Sequence, residues 1–70
     1  MVTLKELMEI TEVDHLTVYA PMTDRVRYRI DINPNDSDEK YDVLMNYGER
    51  AVRTVWPMYK GDVRMIVEMK

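Results

Sequence analysis

The chain has no cysteine, no phenylalanine, two glycines, one tryptophan, one histidine (His15) and one serine (Ser37) in 70 residues. Without cysteine, a disulfide framework and every thiolate metal site are excluded, a composition that fits a reducing compartment. A single histidine then leaves too few ligands for a structural zinc. No apolar stretch approaches the roughly 20 residues that span a bilayer. The start, Met1-Val-Thr-Leu-Lys-Glu-Leu7, lacks the basic opening and apolar run of a signal peptide. The expectation is a cytoplasmic protein with no membrane partner. Two glycines cannot build a Gly-rich phosphate cradle. Nucleophilic catalysis would require Ser37, in an acidic turn, to meet His15 at the start of a strand, and Ser37 is better explained as a helix cap. Carboxylates are plentiful but fall in turns or on solvated faces, where nothing tunes them for acid–base work. The sequence reads as no enzyme, with no catalytic residue, no cofactor and no metal.

What is present is a chain long enough for one domain, residues 1–70, whose core must be thin. A domain of this size buries only about 60% of its unfolded surface. The formal net charge is −3 and the pI about 5.0, which argues against a general nucleic-acid coat. The total conceals blocks of opposite sign. Residues 1–24 and 31–42 are acidic, residues 43–70 mildly basic, and Arg25, Arg27 and Arg29 form a compact basic run between the acidic blocks.

Thr3 followed by Glu6 is a capping-box pattern, and Leu4, Leu7 and Met8 share one helical face, so a helix is predicted over residues 3–10. Leu16, Val18 and Ala20 alternate with Thr17 and Tyr19 as a strand should. After a turn at Pro21-Met-Thr-Asp24, Val26, Tyr28, Ile30 and Ile32 alternate with Arg25, Arg27, Arg29 and Asp31. An antiparallel hairpin is the simplest reading of these two strands. Asn33-Pro-Asn-Asp-Ser37 then breaks the chain, with Ser37 as the expected cap of a second helix. Tyr41, Leu44 and Met45 are its expected core face, and Gly48 its left-handed C-cap. Ala51, Val52 and Val55 suggest a third strand with a bulge, which Pro57 ends or confines to an edge. Tyr59-Lys-Gly-Asp62 reads as a turn, and Val63, Met65, Val67 and Met69 as the last strand. The fold class expected is α+β, in the order α-β-β-α-β-β, with one antiparallel four-stranded sheet and both helices on one face.

The run Leu4-Lys-Glu-Leu-Met-Glu-Ile10, followed by Leu16-Thr-Val-Tyr19 and more loosely by the closing Val63-Arg-Met-Ile-Val-Glu-Met69, resembles small uncharacterised proteins of phages and mobile elements. The resemblance is firmest over the first 20 residues. It implies an accessory protein that acts by binding another protein, as inhibitors of host defence nucleases do.

Three features of the sequence invite a function. Asp31, Asn33 and Asn35 alternate as calcium ligands would, with Asp42 at the twelfth place. Yet Asp36 replaces the required glycine, Pro34 stiffens the bend and a strand precedes it, so a solvated turn is the better reading. Arg25, Arg27 and Arg29 would project from one strand face about 6.8 Å apart. Tyr19 lies across the hairpin, and Arg53 and Arg64 could extend the patch. Val55-Trp-Pro-Met-Tyr59 gathers residue types favoured at interface centres, although Trp56 could equally close the core. Seven methionines without phenylalanine make the apolar set soft and adaptable. The leading expectation is a partner-binding protein. It uses Arg25, Arg27, Arg29 and Tyr19 as the electrostatic element and Trp56 and Tyr59 as apolar anchors, against a protein bearing an acidic patch. Two readings stand beside it. One is a nucleic-acid-binding domain using the arginine face, with phosphate-bearing small molecules as its lesser relative. The other is a homo-oligomeric subunit whose last strand pairs edge to edge with its twin.

Overall fold

The computed structural model describes residues 1–59 and 61–70. The expected order of elements holds: α1 (Leu4–Glu9), β1 (His15–Pro21), β2 (Arg27–Ile32), α2 (Ser37–Tyr47), β3 (Val52–Tyr59) and β4 (Val63–Met69). Helix α1 starts where the sequence asks it to. Thr3 Oγ1 accepts from the Glu6 amide at 3.2 Å, and Glu6 Oε1 accepts in return from the Thr3 amide at 3.3 Å. The next free amides of this short helix are met from elsewhere: Leu4 donates to the Arg50 carbonyl at 3.2 Å and Lys5 to the Gly48 carbonyl at 3.0 Å. The end of α2 thus serves as a second cap for α1, which six residues of helix would hardly sustain alone.

The four strands form one sheet in the order β2-β1-β4-β3. Both hairpins are antiparallel, as expected, but the sheet is mixed. The two central strands, β1 and β4, run parallel, with Val18 opposite Val67. The reason is the crossover. Helix α2 returns the chain past the sheet, so β3 starts in the same direction as β2 and at the far edge. Its antiparallel return strand, β4, then settles beside β1 pointing the same way. The last strand is therefore bonded on both sides, and edge-to-edge pairing through β4 is excluded. The free edges belong to β2 and β3.

Both helices cover the same face. Leu4 and Met8 of α1 and Val43 of α2 pack on Leu16, Val18, Ile32, Met65, Val67 and Met69. Each fully buried aliphatic side chain here contributes about 1.5–3 kcal/mol, and the set is small, as the length demanded. On α2 the buried stripe is rotated from the expected one. Val43 is buried and Leu44 and Tyr47 half-buried, whereas Tyr41 and Met45 are 65% and 72% exposed. The pairs 43/47 and 41/45 are alike in spacing and apolarity, and the sheet beneath α2 takes the first of them. Gly48 is not left-handed either; its φ is −57°. It is buried, and a Cβ there would stand 2.4 Å from the Leu44 carbonyl oxygen. Glycine is required by close approach, not by turn handedness.

The cap of α2 is Asp36 and not Ser37, which is the first helical residue. Asp36 Oδ1 accepts from the amides of Asp38 at 3.0 Å and Glu39 at 3.2 Å. A carboxylate in that place also complements the helix dipole, which a hydroxyl does not. Asp36→Ala is expected to lower stability by about 1 kcal/mol in urea unfolding, and Ser37→Ala by no more than a few tenths. Equal losses, or a larger one at Ser37, would return the cap to the serine. In β3 the register shifts between Val52 and Thr54, the expected bulge, and Pro57 lies in an edge strand, as a residue without a donor must. Gly61 takes φ +76° in the final turn; Lys60 of that turn lies outside the described residues.

Candidate docking face

Because both helices lie on one face, the other face of the sheet is open, and strand alternation decides what stands on it. Register places Asp31, Thr17, Ile66 and Trp56 in one row across all four strands, and Arg29, Tyr19, Glu68 and Thr54 in the next. A third row carries His15, Arg64 and Met58. Thr17, Tyr19, Ile66 and Glu68, on the two central strands, are half-buried by their neighbours alone. Trp56 is 37% exposed. It is a sheet-face residue with its apolar neighbours Ile66 and Met58, not the floor of the core.

The arginine row is shorter than the sequence suggests. Arg27 and Arg29 stand on β2, but Arg25 precedes the strand, in the turn. Val26 and Tyr28, expected on the core side, are 52% and 53% exposed. This end of β2 runs out past the helices, so pattern alone could not bury it. The arginines that stand on the face are paired. Arg27 Nη1 reaches Glu68 Oε2 at 2.8 Å, Arg29 Nε reaches Asp31 Oδ2 at 3.0 Å, and Arg64 Nε reaches Asp62 Oδ1 at 2.8 Å. Arg53, from the bulge of β3, approaches Glu68 Oε1 at 3.7 Å. Four guanidiniums thus face three carboxylates, and the face is close to neutral, as arginines on the solvent side of an antiparallel strand are when Glu and Asp stand nearby.

Two of the carboxylates are held in the charged form. The Thr17 hydroxyl donates to Asp31 Oδ1 at 2.7 Å and, with Arg29, holds that carboxyl below the usual aspartate range. The Arg64 hydrogen bond does the same for Asp62, helped by His15, whose Nε2 lies 2.9 Å from Asp62 Oδ2. In return the partnered Arg29 and Arg64 are pushed further toward the protonated form, chiefly by the same hydrogen bonds. The guanidinium of every pair is exposed to water, so the pairs order side chains more than they stabilise the fold.

Tyr59 does not join Trp56. Their separation of three residues in a strand puts them on opposite faces, and Tyr59, opposite Val63, is 75% exposed on the helix side beyond the reach of either helix. Tyr19 stands directly opposite Arg29, as expected. Glu68 escaped sequence reasoning although it was signalled there, as an acidic residue between Val67 and Met69 in the most apolar strand. The suspected calcium loop dissolves into separate contacts. Asp31 is engaged by Thr17 and Arg29, Asn33 Oδ1 accepts from the Asn35 amide at 2.9 Å, and Asp36 caps α2. Among the described residues no group of three His, Cys, Asp or Glu is placed to hold a metal ion, and no helix is long and apolar enough to cross a membrane. His15 has Asp62 as its partner and Ser37 opens α2, with no hydrogen bond between them among the described residues. Comparison with protein-family models, curated proteins and solved structures gives no match for this chain.

Proposed function

We propose that the chain is a non-catalytic protein-binding module that docks a second protein on the open face of its sheet. The observation that carries this reading is the row Trp56, Ile66 and Thr17, which crosses the sheet uncovered between two margins of internally paired charge. An apolar centre with a polar rim is the anatomy of a docking surface. Complementary charge supports orientation more than affinity, so Arg25, Arg27 and Arg29 with Tyr19 set the approach of an acidic partner and Trp56 anchors it. In its concrete form the module is a phage or mobile-element accessory protein acting in the cytoplasm. It would inhibit a host protein, such as a defence nuclease, by covering its site. That form rests on the resemblance of residues 4–10 and 16–19.

The test compares two lysine substitutions as baits for proteins of the source cell. Ile66→Lys puts a charge in the centre of the open face, whereas Met45→Lys puts the same charge on the exposed side of α2. The partner retained by the wild-type chain should be retained by Met45→Lys and lost by Ile66→Lys. A nucleic-acid binder behaves in the opposite way: added positive charge on the face tightens oligonucleotide binding, and that binding falls steeply with salt. Tighter oligonucleotide binding by Ile66→Lys would replace the protein reading with the nucleic-acid one.

A further inference from the structure

At one end of the open face, where the β1–β2 turn meets the close of β4, a recess of about 490 Å³ opens. Its basic side chains are Arg25, Arg27, Arg53 and Lys70, against the carboxylates of Asp24 and Glu68. They arrive from separate places in the fold: Arg25 from the turn, Arg27 from one edge strand, Arg53 from the bulge of the other. Glu68 gathers them. Its side chain is only 14% exposed, and its two oxygens take Arg27 at 2.8 Å and Arg53 at 3.7 Å. The fold therefore already assembles guanidiniums from both sheet edges around one oxyanion. A guanidinium carries five N–H donors in a fixed fork, so neither arginine is exhausted by this contact. Arg25 makes no ion pair among the described residues. Thr23 adds a donor of another kind. Its Oγ1 accepts from the amides of Arg25 at 3.3 Å and Val26 at 3.1 Å, which leaves the hydroxyl proton free to donate.

We propose that this recess is a binding site for a phosphate group, either as free phosphate or as the phosphoryl group of a nucleotide. The side chains around it carry two positive charges in excess of the negative ones, which matches a divalent oxyanion better than a single carboxylate. Guanidinium forks bind phosphate through paired, charge-assisted hydrogen bonds. Tyr19 on the same wall offers an aromatic face to a base if the phosphate is carried by a nucleotide. Arg25, Arg27 and Tyr19 serve both readings, but Trp56 and Ile66 lie outside the recess, so Ile66→Lys tests docking and Arg53→Ala tests the recess, each without removing a residue of the other.

The experiment is an amide-resolved NMR titration with inorganic phosphate at constant ionic strength, chloride being withdrawn as phosphate is added. A parallel titration uses adenosine monophosphate. Saturable shifts are expected at residues 23–27 and 68. Arg25→Ala/Arg53→Ala should weaken binding by about tenfold or more, since each charge-assisted contact carries a large share of so small a ligand's affinity. Lys5→Ala/Lys40→Ala removes the same net charge from the helices and should leave it unchanged. Glu68→Gln should tighten it, because the competing charge goes while an acceptor for one arginine stays. Tighter binding of the nucleotide than of phosphate assigns the phosphoryl source to a nucleotide, and equal binding assigns it to free phosphate. Shifts that never saturate, or equal weakening by both double variants, would overturn the proposal and leave only general attraction of anions to basic side chains.

Discussion

Val67→Asp is expected to leave the chain unfolded at 25 °C, while Ile66→Thr, one residue away, should fold and melt cooperatively. Val67 is 0% exposed and lies between Val18 and Val55 on the face that Leu4, Met8 and Val43 cover. The substitution forfeits about 1.5–3 kcal/mol of apolar burial. It also places a carboxyl group where no donor or cation waits, and an unpartnered polar group in a core costs a further few kcal/mol even when it protonates. A chain of this length has a total stability of about 4–10 kcal/mol, so the two losses together consume most or all of it. Ile66 projects from the other side of the same strand, half-buried beside Thr17 and Trp56 with water above it. Threonine there keeps the branched Cβ a strand favours and loses only part of an exposed apolar contact. Far-ultraviolet circular dichroism through a thermal scan separates the two results. A cooperative melt of Val67→Asp within a few degrees of the wild-type chain would mean that the covered and open faces have been assigned the wrong way round.

That contrast also shows how the fold could be read from the sequence and where reading stopped. Periodicity and turn chemistry are local properties, and they reported both helices, all four strands and an irregularity after Val52, with Pro57 either ending β3 or holding it to an edge, of which the edge is what the sheet shows. Each of these depends on residues a few places apart. The α2 cap failed locally, by one residue, because Asp36 and Ser37 are both capping types side by side; the larger failures depend on long-range placement. Nothing in Val63 to Met69 says whether that strand lies at an edge or beside β1; the path of α2 decides it, and so makes the sheet mixed. The face of α2 was misjudged because Tyr41 and Met45 are as apolar as Val43 and Tyr47, and only the sheet beneath selects between the two stripes. The site divided the same way. Alternation placed Arg27, Arg29 and Tyr19 correctly, but their neutralisation by Glu68 and Asp31 required strand order. The joining of Arg25 with Arg53 needed the far edge of the sheet as well. Tyr59 is different, since its odd spacing from Trp56 in a strand already separated the two faces.

Trp56→Ala should weaken docking on the partner by about 2 kcal/mol or more, roughly thirtyfold, while the chain stays folded. The ring belongs to the open face, where Ile66 stands opposite it, and more than a third of its surface meets water in the unpartnered chain. Its truncation therefore opens a shallow dent at the sheet surface and no closed cavity, a milder injury than removing a core side chain. In the complex the same ring would lose its remaining water, and large aromatic side chains at the centre of an interface supply most of what such surfaces gain. Trp56→Phe keeps a flat apolar ring and should retain a measurable part of the affinity. By contrast Tyr59→Ala, on the opposite face, should change docking little, although the two residues are only three apart. Affinity of the purified partner for the wild-type chain and the three variants, with a thermal melt of each, resolves the matter. If Trp56→Ala folds and docks as the wild-type chain does, or if Tyr59→Ala carries the loss, the open face is not the docking surface. If Trp56→Ala and Trp56→Phe both unfold, the tryptophan serves the core and its anchoring role falls.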